Sequence, residues 1–348
     1  MVDPERRAEM RIFLSLMALF LPADNPELVS ACFTSVEATR SQLERSSFTL
    51  VETLTWADPA RTLRLEGRMD CSGRGGRYDW NVHDSHQVNG VLEEQITIVE
   101  DGQNCALLRQ NSTLNDQRLL REGVSAAAEL FLKGKKPAID PLLRRTPDLI
   151  WFTDNIYSFR SIVRHLDGPP VSRPGGKPFD RNVSRNGDLV SVELKFQNGF
   201  ETQLTLSLSA GGNVVEHFRK EPPQGAVESW TYSKRTYQWE STPEGQWWPK
   251  RFERRDTKDS ASGEFIFSDV VEVKEFLSAA KSGASPNATV SLRSLGELRP
   301  GTLVTEYSPG ADPKSYTIGK EKSESFEEMS RRMGSSLRQG TFYKTKTK

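Results

Sequence analysis

Apolar and polar residues alternate with a period of two over long stretches of this chain. Phe48, Leu50, Leu54 and Trp56 alternate with Thr49, Thr53 and Thr55. Leu63, Leu65, Gly67, Met69 and Cys71 alternate with Arg64, Glu66, Arg68 and Asp70. Tyr78, Trp80 and Val82 alternate with Arg77, Asp79 and Asn81. Successive side chains of a strand point to opposite faces, so this period predicts antiparallel strands with one apolar and one polar face. Ile96–Val99 and Cys105–Leu108 flank Asp101-Gly102, a hairpin turn pair.

A second series is cleaner. Val190, Val192, Leu194 and Phe196 alternate with Ser191, Glu193 and Lys195, and Asn198-Gly199 turns the chain. Phe200, Leu204, Leu206 and Leu208 alternate with Glu201, Gln203, Thr205 and Ser207, and Gly211-Gly212-Asn213 turns it again into Val214–Lys220. This is a β-meander. Trp230–Trp239, Trp247–Arg254 and Glu264–Phe276 extend it, the last long enough to require a bulge or strong bend. Pro249 predicts an edge position for its strand.

Helical spacing replaces the period of two in two places. Asn25-Pro26 is a cap followed by a natural first helical residue, and Val29, Cys32, Phe33, Val36 and Leu43 then recur on one face, predicting a helix over about 26–45. In the middle, Leu149, Ile150, Ile156, Phe159, Ile162, Val163 and Leu166 form one apolar stripe, stopped by Gly168-Pro169-Pro170. The stretch 167–181 reads as a loop. Beyond the ladder, a linker leads to a short unit holding Leu303–Tyr307 and Tyr316–Ile318, a polar helix over about 323–338 and the basic end TFYKTKTK.

The order of helix, antiparallel strands, helical insert and antiparallel strands resembles the bacterial outer-membrane lipoprotein carrier family and its relatives. The resemblance covers roughly 26–276. Its local carriers are the helix, then FTLVETLTW, then WTYSKRTYQWE, GQWWPKRFERR and EFIFSDVVEVKEF. It implies an α+β fold, mainly antiparallel β, with a curved half-barrel sheet and covering helices. Applied to this chain, it gives a signal-like segment over 1–23 and a half-barrel domain over 24–277 with a helical insert over 138–167. A linker over 278–290 and a small C-terminal extension over 291–348 follow. The extension and the length of the insert depart from the simple carrier. The hydrophobic lining expected from the apolar positions is Trp56, Trp80, Ile150, Ile156, Phe159, Val192, Leu194, Phe196, Leu204 and Leu206.

Composition narrows the function classes. Lysine plus arginine equals aspartate plus glutamate at 47 each, which argues against nucleic acid as the main partner, since phosphate binding needs a basic excess. Three cysteines, Cys32, Cys71 and Cys105, are too few for a disulfide scaffold; Cys71 and Cys105 are either small buried residues or a pair in an oxidising compartment. His83, Asp84 and His86 have the chemistry of zinc ligands but lack a third imidazole nearby, and a polar turn accounts for them. Ser72 to Arg77 (SGRGGR) has neither the lysine nor the following helix of a phosphate loop and reads as a hairpin connection. Trp230, Tyr232, Tyr237, Trp239, Trp247 and Trp248 either line a ligand or pack across strands.

No motif names a reaction, cofactor or metal. The expected function is a non-catalytic cell-envelope protein holding a hydrophobic ligand, a lipid or lipoprotein acyl chain, with a lipidated protein as a second kind of partner. The alternative is an envelope interaction or sensor domain with a filled core, and a third reading is a metal hydrolase using His83, Asp84 and His86. Ile12–Leu21 is a ten-residue apolar run, too short to span a bilayer but suited to a secretory signal. Arg11 precedes it and Ala23 offers a cleavage site; a start at Met10 rather than Met1 removes the mixed charges of 3–9 from the signal. The expected mature N-terminus is near Asp24, in the periplasm or cell envelope. N-terminal sequencing of native material checks this; retention of Met1 or Met10 in a cytosolic fraction refutes it.

Overall fold

The computed structural model describes residues 26–72, 75–85, 92–110, 126–132, 178–196, 198–223, 229–278, 290–298 and 300–318. The class is α+β and mainly antiparallel, with sheet that is open and not closed into a barrel, as in a half-barrel. The chain forms two compact units, Met1–Arg64 with Arg145–Gly283, and Leu65–Arg144 with Ala284–Lys348. The signal-like segment 1–23, the insert 138–167 with Ile150, Ile156 and Phe159, and the polar helix near 323–338 lie outside the described residues.

In the first unit, helix α1 (Pro26–Leu43) precedes β1 (Ser47–Trp56). The remaining strands, numbered along the whole chain, are β7 (Pro178–Asn186), β8 (Leu189–Phe196), β9 (Glu201–Ser207), β10 (Asn213–Glu221), β11 (Thr231–Ser241), β12 (Trp247–Lys258) and β13 (Phe265–Leu277). Their order is β1-β13-β12-β11-β10-β9-β8-β7, so the meander runs back until β13 pairs with β1. The predicted turns form for local reasons. Gly199 at φ 81° and Gly211 and Gly212 at φ 68° and 78° supply left-handed backbone that side chains with a Cβ rarely adopt. The last two also seat the helix: Ser35 donates to the Gly211 carbonyl, and a Cβ on Gly212 would meet Cys32 Cα at 3.3 Å. Leu28, Val29, Cys32, Phe33, Val36 and Leu43 are the buried stripe of α1, which packs on β10 and β12.

The thirteen residues of β13 are bulged, with register shifts opposite Thr49/Leu50 and Asp256/Thr257. β12 as a whole is interior, but Pro249 lies in its first residues, which pair with β11 alone: β13 pairs only with Arg251–Thr257, so the missing N–H falls at a local edge, as expected. One expectation is corrected. The loop expected through 181 ends earlier, because β7 begins at Pro178; its polar sequence, DRNVSRN, gave no alternating signal.

The second unit contains β2 (Arg61–Cys71, from Leu65), β3 (Gly76–Asp84), β4 (Leu92–Glu100), β5 (Cys105–Gln110), β6 (Ala126–Phe131), β14 (Thr302–Tyr307) and β15 (Lys314–Thr317). The order is β15-β14-β6-β5-β4-β3-β2. Asp101 closes the β4–β5 turn, its carboxylate accepting from the Gln103 and Asn104 amides at 2.9 and 2.7 Å. The strand β6, AAAELF, has small residues where the pattern needs large ones, and was not foreseen. It pairs in parallel with β14, against the otherwise antiparallel trend. One face packs Ala106, Leu108, Ala128, Leu130 and Val304 against Val290, Leu295 and the short 3-10 helix Leu292–Leu295. Arg77 donates to the Ser294 carbonyl at 2.8 Å and pins that segment. The other face buries Leu65, Met69, Tyr78, Trp80, Ile96, Ile98 and Leu107 almost completely.

Cys32, Cys71 and Cys105 are buried and not disulfide-bonded, as small apolar residues would be. Gly67 marks the closest strand approach: a Cβ there would lie 1.8 Å from the Asp79 carbonyl oxygen. Backbone, unlike a side-chain tip, cannot give way locally. Gly67→Ala is therefore expected to destabilise the protein by about 1–3 kcal/mol, the range for forced overpacking. Gly187→Ala, at φ 58° with open space around it, should cost about 1–2 kcal/mol, from backbone strain alone. Urea unfolding of both variants gives the comparison.

Candidate functional site

The buried face of the first unit is laid out in rows of direct cross-strand partners. One row reads Leu54, Asp269, Arg254, Arg235, His217, Leu204 and Val192, from β1 to β8. The adjacent row, two residues along each strand, reads Trp56, Phe267, Asp256, Ser233, Arg219, Thr202 and Leu194. On the other side lie Glu52, Val271, Phe252 and Tyr237. Since the side-chain period of a strand is two, all three rows face the same way. The β8–β9 end is apolar apart from Thr202, with Val190, Val192, Leu194, Leu204 and Leu206 at 0–1% exposure. The β10–β13 stretch is polar and ionic.

His217, at 0% exposure, anchors that stretch. Its Nδ1 lies 3.4 Å from Arg235 Nη1 and its Nε2 lies 2.9 Å from Thr202 Oγ1. A guanidinium can only donate, so Nδ1 accepts and Nε2 carries the proton and donates to Thr202. Burial holds the imidazole well below the usual histidine range, and Arg235, Arg219 and Arg254 add to the effect by repulsion. Arg254 grips Asp256 through Nε–Oδ1 at 3.0 Å and Nη2–Oδ2 at 2.7 Å, and lies over the Phe267 ring at 5.2 Å. Arg219 reaches Glu221 at 2.5 Å and lies over Phe200 at 5.6 Å. Both arginines keep some exposure, 31% and 21%, so this face opens to water along their edge.

Of the lining residues expected from sequence, Trp56, Val192, Leu194, Leu204 and Leu206 share this face. Half-buried Phe196 continues the β8 alternation and contacts Phe200, ring centroids 5.3 Å apart. Trp56 is separated from the others by the ionic stretch and is held by Phe267 at 5.4 Å and by Arg61 over its ring at 5.2 Å. Trp80 belongs to the second unit, opposite Ile96. Ile150, Ile156 and Phe159 are outside the described residues. The ionic residues were missed because, in a strand, an inward arginine and an outward one look alike; only Asp269, breaking the run between Phe267 and Val271, carried a signal.

Among the aromatic residues singled out from sequence, the contacts are cross-strand packing. Tyr237 meets Phe252 at 5.2 Å, Tyr232 meets Phe218 at 6.1 Å, and Trp248 stacks on Phe276 at 5.6 Å. Trp239 Nε1 donates to the Val214 carbonyl at 2.6 Å, and Lys220 lies over Trp230 at 4.9 Å. The opposite face of β10–β12 holds a pocket of about 210 Å³ lined by residues including Phe218, Tyr232, Lys234 and Glu253. In the second unit, Arg109 lies 3.3 Å from Glu94, whose carboxyl burial pushes up, and Tyr307 donates to Glu129 at 3.2 Å. His83 and Asp84 end β3, while His86 is outside the described residues; among the described residues no three His, Cys, Asp or Glu side chains are grouped to hold a metal. Among the same residues no helix is long and apolar enough to cross a membrane.

No family model and no curated protein matches the chain in sequence. Among solved structures, the chain is similar to a domain assigned to outer membrane lipoprotein sorting from Vibrio parahaemolyticus, with 12% identity and a TM-score of 0.30, over 78% of this chain and 97% of that one. It is also similar to a DUF1329 family protein from Desulfovibrio piger, with 9% identity and a TM-score of 0.32, over 74% and 95%. Neither supplies a residue role for this chain.

The buried neutral imidazole generates a pH prediction. His217 is depressed in the folded state, whereas the unfolded chain binds a proton below about pH 6.5. Its contribution is therefore present above that pH and lost as pH falls, at up to about 1.4 kcal/mol per pH unit. His217→Gln can still accept from Arg235 and donate to Thr202 without titrating. Urea midpoints measured from pH 7.5 to 5 should fall more steeply in the natural protein than in the variant; parallel curves would refute the assignment.

Proposed function

We infer that the chain is a non-catalytic binding protein of the cell envelope, holding a hydrophobic ligand such as a lipid or lipoprotein acyl chain on the first unit. The observation that carries this reading is the apolar β8–β9 end of the buried face. Val190, Val192, Leu194, Leu204 and Leu206 are apolar there, while Ser191, Glu193, Lys195, Gln203 and Thr205 alternate with them on the other side. A face of this kind leaves water only under a cover. An acyl chain supplies one at roughly 0.8 kcal/mol per buried methylene, without a charged anchor. The proposed remainder of the lining is Phe196 with Ile150, Ile156 and Phe159 of the helical insert, acting as a lid. The periplasm or envelope is the proposed location.

A second reading has an observation of its own. Exposure of 0–1% at those five residues also suits a filled core, in which the fold serves as an interaction or sensor domain. One variant separates the two. Val192→Trp puts a large side chain on the face. In the binding reading, the natural protein takes up a fluorescent fatty-acid probe and the variant stays folded but loses uptake at least about tenfold. In the filled-core reading, the natural protein takes up none and the variant loses about 1–3 kcal/mol of stability through overpacking. Probe titration with circular dichroism on both proteins gives the answer.

A further inference from the structure

We propose that the ionic stretch beside the apolar end is a seat for the anionic head group, a carboxylate or phosphate, of an amphiphile whose tail lies along β8–β9. This deepens the binding reading above and rests on it. Ser233 is the centre of the seat. It is 4% exposed, and its Oγ has no hydrogen-bond partner among the described residues. A hydroxyl left so in a protein interior costs about 1–3 kcal/mol, so an unanswered donor there points to a group that arrives from outside. Its two cross-strand partners are Arg219 and Asp256, and Asp256 is held two-pronged by Arg254. A head group over Ser233 thus meets the Arg219 guanidinium on the β10 side and, on the β12 side, the Asp256 carboxylate whose charge Arg254 balances. Planar guanidinium forks suit carboxylate and phosphate oxygens.

Around His217 the local charges favour an anion: beyond the effect of burial, the guanidiniums of Arg235, Arg219 and Arg254 repel a proton there, while Asp256 and Asp269 on the same face balance part of their charge. Glu221 competes for the same site. It pairs with Arg219 from the exposed end of β10 with a third of its side chain open to water. An arriving anion takes its place on Arg219 and Glu221 turns to solvent, so no net charge is buried by the exchange. From Ser233 the row continues through Arg219 and Thr202 to Leu194, three strand spacings or about 14 Å, from polar seat to apolar strip. The seat and the strip together discriminate an anionic amphiphile from a neutral one and from a free anion.

The test uses the purified full chain titrated with oleate, oleyl alcohol and inorganic phosphate by isothermal calorimetry. Oleate is expected to bind roughly tenfold or more tighter than the alcohol, as one or two charge-assisted hydrogen bonds provide, and phosphate alone far more weakly. Arg219→Gln and Ser233→Ala should each lower the oleate-to-alcohol ratio, and Glu221→Gln should raise it. Ser233→Ala removes an unanswered buried hydroxyl and is expected to leave the urea midpoint unchanged or higher, which separates lost binding from lost folding. Oleate and alcohol binding equally, with the ratio unmoved by all three variants, overturns the head-group seat and leaves the apolar site standing. Phosphate binding as tightly as oleate overturns the amphiphile. Failure of both oleate and alcohol to bind overturns the binding reading itself.

Discussion

Charges buried inside a sheet have nowhere to relax, and the row from Asp269 through Arg254 and Arg235 to His217 imposes that constraint on the first unit. Each group needs a partner within reach, because an unpaired charge in a poorly polarisable interior is destabilising by several kcal/mol. Arg254 meets this with both oxygens of Asp256, and His217 meets it by remaining neutral between Thr202 and Arg235. A one-residue slip between β10 and β11 would swap Arg235 and Ser233 for Lys234 and Thr236 on the inner face. The ionic row therefore enforces a register that apolar residues alone, being interchangeable in chemistry, specify less sharply.

The same constraint divides the face. Aliphatic residues on β8 and β9 are self-sufficient once covered, whereas the β10–β13 stretch is not. Replacing such a stretch with aliphatic side chains is often neutral or stabilising in proteins generally, so stability alone is a weak reason for keeping it. A surface that is oily at one end and ionic in the middle is matched by molecules with the same division. The unanswered Ser233 hydroxyl lies between Arg219 and the Arg254-bound Asp256, at the junction of these demands. In the second unit the charged groups on the buried face are few among the described residues, and Glu94 and Glu129 are each met by a neighbour, Arg109 and Tyr307.

Most strands were legible because their alternation is strong. The meander from β8 to β10 and the bulged β13 follow from single-residue spacing plus Gly turns. Alanine-rich β6 and polar β7 were not legible: small side chains carry no amphipathic contrast, and an edge strand with two solvated faces carries none either. Pro249 was legible in a local sense: β12 is interior, yet its first residues pair with β11 alone, so the missing donor breaks no bond to β13.

By itself, the sequence determined the class of this protein, its antiparallel ladders, its first helix and the apolar half of the candidate site, because these depend on which residues repeat along one strand. Only the tertiary structure decided that β6 lies beside β14, that Trp56 and Leu204 share a face while Trp80 belongs to the other unit, and that three arginines, two aspartates and a histidine from four strands converge. Those facts depend on which residues stand opposite one another across strands far apart in the chain. No period within a strand encodes that pairing; it is set when the register that buries the apolar side chains also gives each buried charge a neighbour.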